Sequence, residues 1–148
     1  MRPHFLIVAC ITFMSVKASA QEMIADTISK NTTQLKVIEE DNKVYTSVEV
    51  NANFKGGMAG WSKYLQKRIQ TFRPEKQGAP KGKYPVVVRF VVGKNGKIKA
   101  VDAETKFGYG METALKRVIS QSPSWIPAMQ NGQPVNVYRK QPLTFVVQ

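Results

Sequence analysis

Val86–Val92 holds six apolar residues and a single Arg, and Lys94-Asn95-Gly96-Lys97 follows almost at once. A run of that length, rich in β-branched residues, is what a buried central strand requires. Asn-Gly at the centre of the next four residues is the usual signal for a tight hairpin. Ile98–Glu104 then returns as the second arm. The expected turn is type I′, with positive φ at both Asn95 and Gly96. A hairpin with a nearly continuous apolar arm cannot stand alone in water, so the rest of the chain must cover it.

Two helices have the spacing to do so. From about Met58 to Gln70, the residues Met58, Trp61, Leu65 and Ile69 fall on one stripe, while Lys63, Lys67 and Arg68 face away. Met111, Ala114, Leu115, Val118 and Ile119 form a second stripe, stopped by Ser122-Pro123. Val44–Val50 reads as a first strand and Val135–Val147 as a last one. Pro142 interrupts the last strand and cannot donate to a ladder, which argues for an edge or a bulge there. The expected class is α+β. A small antiparallel sheet carries two helices on one face, in the order β-α-β-β-α-β.

The N-terminus has a different character. Arg2, the apolar run Phe5–Met14 and the small residues Ala18-Ser19-Ala20 have the layout of a secretory signal, expected over residues 1–20. A second reading takes Ile7-Val8-Ala9-Cys10 as a lipoprotein box, with Cys10 as the lipidated terminus. Cleavage after Ala20 would remove His4 and Cys10, the single His and single Cys of the chain. A mature form without thiol or imidazole has no Ser-His-Asp or Cys-His catalysis and no His- or Cys-based zinc site. Residues 21–43 are polar and without sustained periodicity, and are expected to be a flexible leader with at most one helical turn near Leu35–Glu40. Residues 44–148 are the expected domain.

Charge sharpens this division. The whole chain has 22 Lys plus Arg against 10 Asp plus Glu, a net of +12. Arg2 and Lys17 would leave with the signal. Gln21–Val50 is acidic on balance, so the basic excess is concentrated after Asn51. Such an excess points to nucleic acid or to an anionic surface, and export argues against nucleic acid as a partner. A candidate patch for an anionic envelope polymer comprises Lys76, Lys81 and Lys83, with Lys94, Lys97 and Lys99 on the hairpin. Lys97 and Lys99 flank Ile98 and are expected on one sheet face. The carboxylates Glu75, Asp102, Glu104 and Glu112 have nothing organised around them. No enzymatic activity, cofactor or metal is expected.

Several motifs occur in a fixed order: Phe54-x-Gly56-Gly57, Lys63-Tyr64-Leu65, the Val86–Ile98 hairpin, Ala114-Leu115, Ser122-Pro123-x-Trp125-x-Pro127, Asn131-Gly132-x-Pro134-Val135, and Pro142-x-x-Phe145. Through them, the region from about Val44 to Val147 resembles the C-terminal domain of TonB. The resemblance implies a periplasmic protein that binds an extended segment of an outer-membrane receptor by adding it as a strand to an exposed sheet edge. By the same resemblance the contacting strand would be Val135, Asn136, Val137, Tyr138, Arg139 and Lys140. A TonB transducer also has a membrane anchor and a long Pro-rich linker, whereas this chain is expected to have a cleaved signal and a short leader. Binding, competition or modulation of energy-coupled transport is therefore implied. The alternative is a basic adaptor contacting peptidoglycan or lipopolysaccharide. An unpaired edge would also permit a homodimer by strand exchange. Gly56-Gly57 is expected to turn the chain into the first helix, and Trp125, held between prolines, to plug one end of the core.

Overall fold

The computed structural model describes residues 16–148, so Cys10 and most of the expected signal lie outside the described residues. Two compact units divide at residue 42.

The first unit contains helix α1 (Val16–Asn42). This differs from the flexible leader expected for residues 21–43. The segment contains no Gly or Pro to break it. Its hydroxyls also satisfy themselves locally: Thr27, Thr32 and Thr33 donate to the carbonyls of Met23, Ile28 and Ser29 at 2.8–2.9 Å. Lys30 pairs with Asp26 one turn earlier at 2.7 Å. Met23, Ile24, Ile28, Leu35 and Ile38 on this helix are exposed. Among the described residues, no helix is long and apolar enough to cross a membrane.

The second unit, Lys43–Gln148, is α+β. Its elements are β1 (Val44–Tyr45), α2 (Gly57–Ile69), β2 (Gly82–Val92), β3 (Ile98–Ala103), α3 (Met111–Ser120), β4 (Ala128–Gln130) and β5 (Gln133–Val147), with a 3-10 turn at Pro74–Gln77. The sheet order is β1-β5-β2-β3, and β4 pairs with β5. All pairings are antiparallel except β1 with β5, which is parallel. The sheet is therefore mixed at one short contact.

Alternation explains the layering. Val86, Val88, Phe90 and Val92 are buried on β2 and belong to one core with Trp61 and Leu65 of α2 and Met111, Leu115 and Ile119 of α3. Both helices thus cover one sheet face. Gly56 and Gly57 enter α2 with φ of 87° and 65°, conformations that a Cβ disfavours. Trp125 is buried at the end of the core, with ring centroids 4.8 Å from Trp61, 5.4 Å from Phe54 and 5.5 Å from Phe90. Its indole N–H donates to Ser122 Oγ at 3.1 Å.

Three local expectations need correction. The first strand shrinks to two residues, because the chain then bends around the β4–β5 turn. Glu49 there accepts from the Asn131 N–H and the Gln130 side chain, before Val50 and Asn53 bridge to Met129 and Ile126. The β2–β3 turn is not type I′. Gly96 N–H donates to Gly93 O, Gly93 N–H donates to Lys97 O, and Gly96 (φ 76°) has positive φ where Asn95 does not. That is a three-residue type I turn closed by a left-handed glycine. The double positive φ appears in the β4–β5 hairpin, at Asn131 (51°) and Gly132 (71°). Lastly, Lys97 precedes β3, and the β2–β3 register slips between Val91 and Val92, leaving Lys99 as the extra residue. The bulge breaks the alternation on which a shared face for Lys97 and Lys99 depended.

Candidate functional site

The long strand β5 is flanked unevenly. On one side β2 pairs with it from Val137 to Val147 without a shift in register. On the other, β1 lies opposite Asn136 and Val137 only. From Tyr138 to Val147 the outer edge has no strand partner among the described residues.

The direction of the backbone groups on that edge follows from one hydrogen bond. Glu104 N–H donates to Val87 O at 2.9 Å, so Val87 and its alternate neighbours on β2 turn toward β3. Val86, Val88 and Phe90 therefore turn toward β5, where they oppose Leu143, Gln141 and Arg139. The odd residues of β5 are used in that ladder. Tyr138, Lys140, Pro142, Thr144 and Val146 point outward. Pro142 thus places its missing N–H on the open edge, where no ladder bond is lost. An edge, and not a bulge, accommodates this proline.

Of the six residues expected to contact a partner, Val135 lies opposite Ala128 of β4, and Asn136 and Val137 lie opposite β1. Tyr138, Arg139 and Lys140 lie on the stretch without an outer neighbour. Asn136 is buried and acts as a clamp: its Oδ1 accepts from Lys94 N–H at 3.1 Å and its Nδ2 donates to Lys43 O at 3.0 Å. Tyr138 has Arg89 over its ring at 5.1 Å, and Lys140 pairs with Glu104 at 2.9 Å. Thr144 and Val146 also present outward backbone groups. The sequence signal for them was the position of Pro142, read together with its parity.

The basic patch does not form one cluster. Lys76 lies in the 3-10 turn, and Lys81 and Lys83 at the start of β2, whereas Lys94 and Lys97 lie in the turn beyond the end of β2 and Lys99 on β3 beside that end. Strand rise separates the two groups by about 30 Å. The acidic residues have structural partners. Glu75 pairs with Arg73 at 3.8 Å, Glu104 with Lys140, Glu112 accepts from Phe107 and Gly108 N–H, and Asp102 accepts from Ala103 N–H. Among the described residues, no group of three His, Cys, Asp or Glu could hold a metal.

Residues 82–147 match the family model described as Gram-negative bacterial TonB protein C-terminal. No curated protein and no solved structure matches the chain significantly. The matched region runs from the first residue of β2 to the last of β5, and so contains the hairpin, α3 and the open edge.

Proposed function

Residues 82–147 belong to the TonB C-terminal family, a family of protein-interaction domains, and from that premise we propose a receptor-binding role for this chain. It is a periplasmic interaction module that takes up an extended segment of an outer-membrane TonB-dependent receptor as an added strand. The added strand lies on the outer edge of β5, from Tyr138 toward Val146. Its role is to take part in, or to modulate, energy-coupled transport through that receptor.

The carrying observation is the unpaired edge with outward N–H groups at Tyr138, Lys140, Thr144 and Val146. Main-chain bonding would supply affinity, and Tyr138 and Lys140 would select the segment. The gap in donors at Pro142 divides the edge and favours short segments. Relative to the Val135–Lys140 stretch, the docking region moves toward the C-terminus, because β1 and β4 hold the first three of those residues.

The test is a titration of the isotopically labelled chain with peptides from receptor N-termini. Saturable shifts at the amides of Tyr138, Lys140 and Thr144 are expected. Absence of binding at millimolar peptide, or shifts that leave those amides unmoved, would overturn the reading. A concentration-dependent dimer blocking the same amides would identify a second copy as the occupant instead.

A further inference from the structure

At the opposite side of the sheet, β3 is the terminal strand, and between it and α3 lies a groove of about 430 Å³. We propose that this groove is a second docking site, for an extended peptide carrying both acidic and apolar side chains. The site is separate from the β5 edge and does not depend on it.

The lining is mostly apolar, with Ile98 and Val101 half-buried at its base. Lys99, Lys116 and Arg117 stand around it, and no carboxylate lines it. None of the three cations has an ion-pair partner among the described residues. Glu112, one turn before Lys116, is the nearest acid in sequence on α3, and it turns back to cap Phe107 and Gly108 N–H. Three unpaired cations around an apolar base attract an acidic ligand and leave room for methyl groups beneath it.

The strand edge decides what kind of acidic ligand fits. Because Glu104 bonds to Val87, Ala100 and Asp102 turn toward β2, and Val101 and Ala103 turn outward. Ala103 N–H is taken by its neighbour Asp102 Oδ1 at 3.0 Å. Val101 therefore offers an open donor and acceptor beside the cations, and the edge is closed one step later. Backbone groups of that kind are matched by another backbone. A short added strand over Lys99–Val101 would turn one of its two alternate sets of side chains into the groove, and with the acidic set there the carboxylates reach Lys116 and Arg117 while their methylenes cover Ile98 and Val101.

The test uses the labelled full chain with the peptide Ac-Ser-Glu-Val-Asp-Val-Glu-Ser-NH2. A cationic counterpart, Ac-Ser-Lys-Val-Lys-Val-Lys-Ser-NH2, and phosphatidylglycerol vesicles serve as comparisons. Saturable shifts at Lys99, Val101 and Arg117, with Tyr138–Val146 unmoved, are expected for the acidic peptide alone. The K116E/R117E double variant should weaken it at least tenfold, and K99E, on an exposed strand position, gives the same reading should the helix variant unfold. Rising salt should weaken binding through screening. Equal binding of the cationic peptide, shifts confined to β5, or a response to vesicles without one to the peptide would each overturn the proposal.

Discussion

The backbone N–H of Trp125 donates to the carbonyl of Gly96 across 2.8 Å, joining the β2–β3 turn to the segment that leads into β4. A Cβ at Gly96 would stand 2.2 Å from the Trp125 carbonyl oxygen, on a residue with φ of 76°. Gly96→Ala should therefore displace the turn and loosen the aromatic plug together. Left-handed strain and a lost hydrogen bond make the expected loss about 2–3 kcal/mol. Thermal unfolding should fall by roughly 10 °C or more. Asn95→Ala, where φ is not positive, should be much milder.

Asn136 is a buried polar side chain that bridges Lys43 O and Lys94 N–H. Asn136→Leu keeps the volume and removes both bonds. A cost of about 2 kcal/mol is expected, because two part-buried backbone groups lose their side-chain partner. Denaturant unfolding would measure it. Amide exchange should rise at Lys94 and around β1.

Tyr64 donates its hydroxyl to Val118 O at 3.1 Å, linking α2 to α3. Burial raises its pKa above the ordinary value near 10, and the neighbouring Arg68 partly offsets this. A phenol whose folded pKa is raised contributes stability that is fully present below pH 10. That stability is lost as pH rises through the folded value. The stability difference between the wild type and Tyr64→Phe should be about 1 kcal/mol at neutral pH and shrink in alkali. A constant difference across pH 8–12 in denaturant titrations would contradict this.

The parity of β5 makes opposite predictions for neighbouring residues. Lys140→Pro removes an outward N–H and an exposed ion pair, so the loss in stability should stay within about 1 kcal/mol. Receptor-peptide affinity should nevertheless drop at least tenfold. Gln141→Pro removes an N–H that belongs to the ladder with Val88, and Gln141 Oε1 also accepts from the Trp61 indole. Destabilisation on the order of 3 kcal/mol is expected there. Equal stability of the two proline variants in thermal unfolding would show that the edge faces the other way.

Where a residue's role is set by its near neighbours, the chain could be read directly. The stripes through Leu65 and Leu115, the apolar arm Val86–Val92 and the plug at Trp125 all rest on short-range periodicity or on prolines. What escaped depends on residues far apart in the chain. Val44–Val50 has strand composition, yet Glu49 is drawn away by Gln130 and Asn131, some eighty positions later. Asn95-Gly96 and Asn131-Gly132 carry the same dipeptide. Only the second takes the double left-handed form, since the docking of Trp125 on Gly96 holds the first turn in another shape. The open edge was legible in part: Pro142 marks it, but which residues lie under β1 and β4 is a matter of tertiary pairing. α1 shows the opposite failure, since its backbone satisfies itself locally without a strong apolar stripe.

The partner of β2 on its inner side is the last strand of the chain, some fifty residues further on, and β1 and β4 depend on that strand as well. The β2–β3 hairpin and α3 can assemble from neighbouring residues, while the sheet cannot close until Gln133–Val147 has left the ribosome. Closing so long a loop late makes folding slow and nearly all-or-none with respect to the C-terminus. A chain ended at Gly132 should keep helical signal in circular dichroism and lose cooperative unfolding. Completion of the sheet and display of its open edge are thus a single kinetic event.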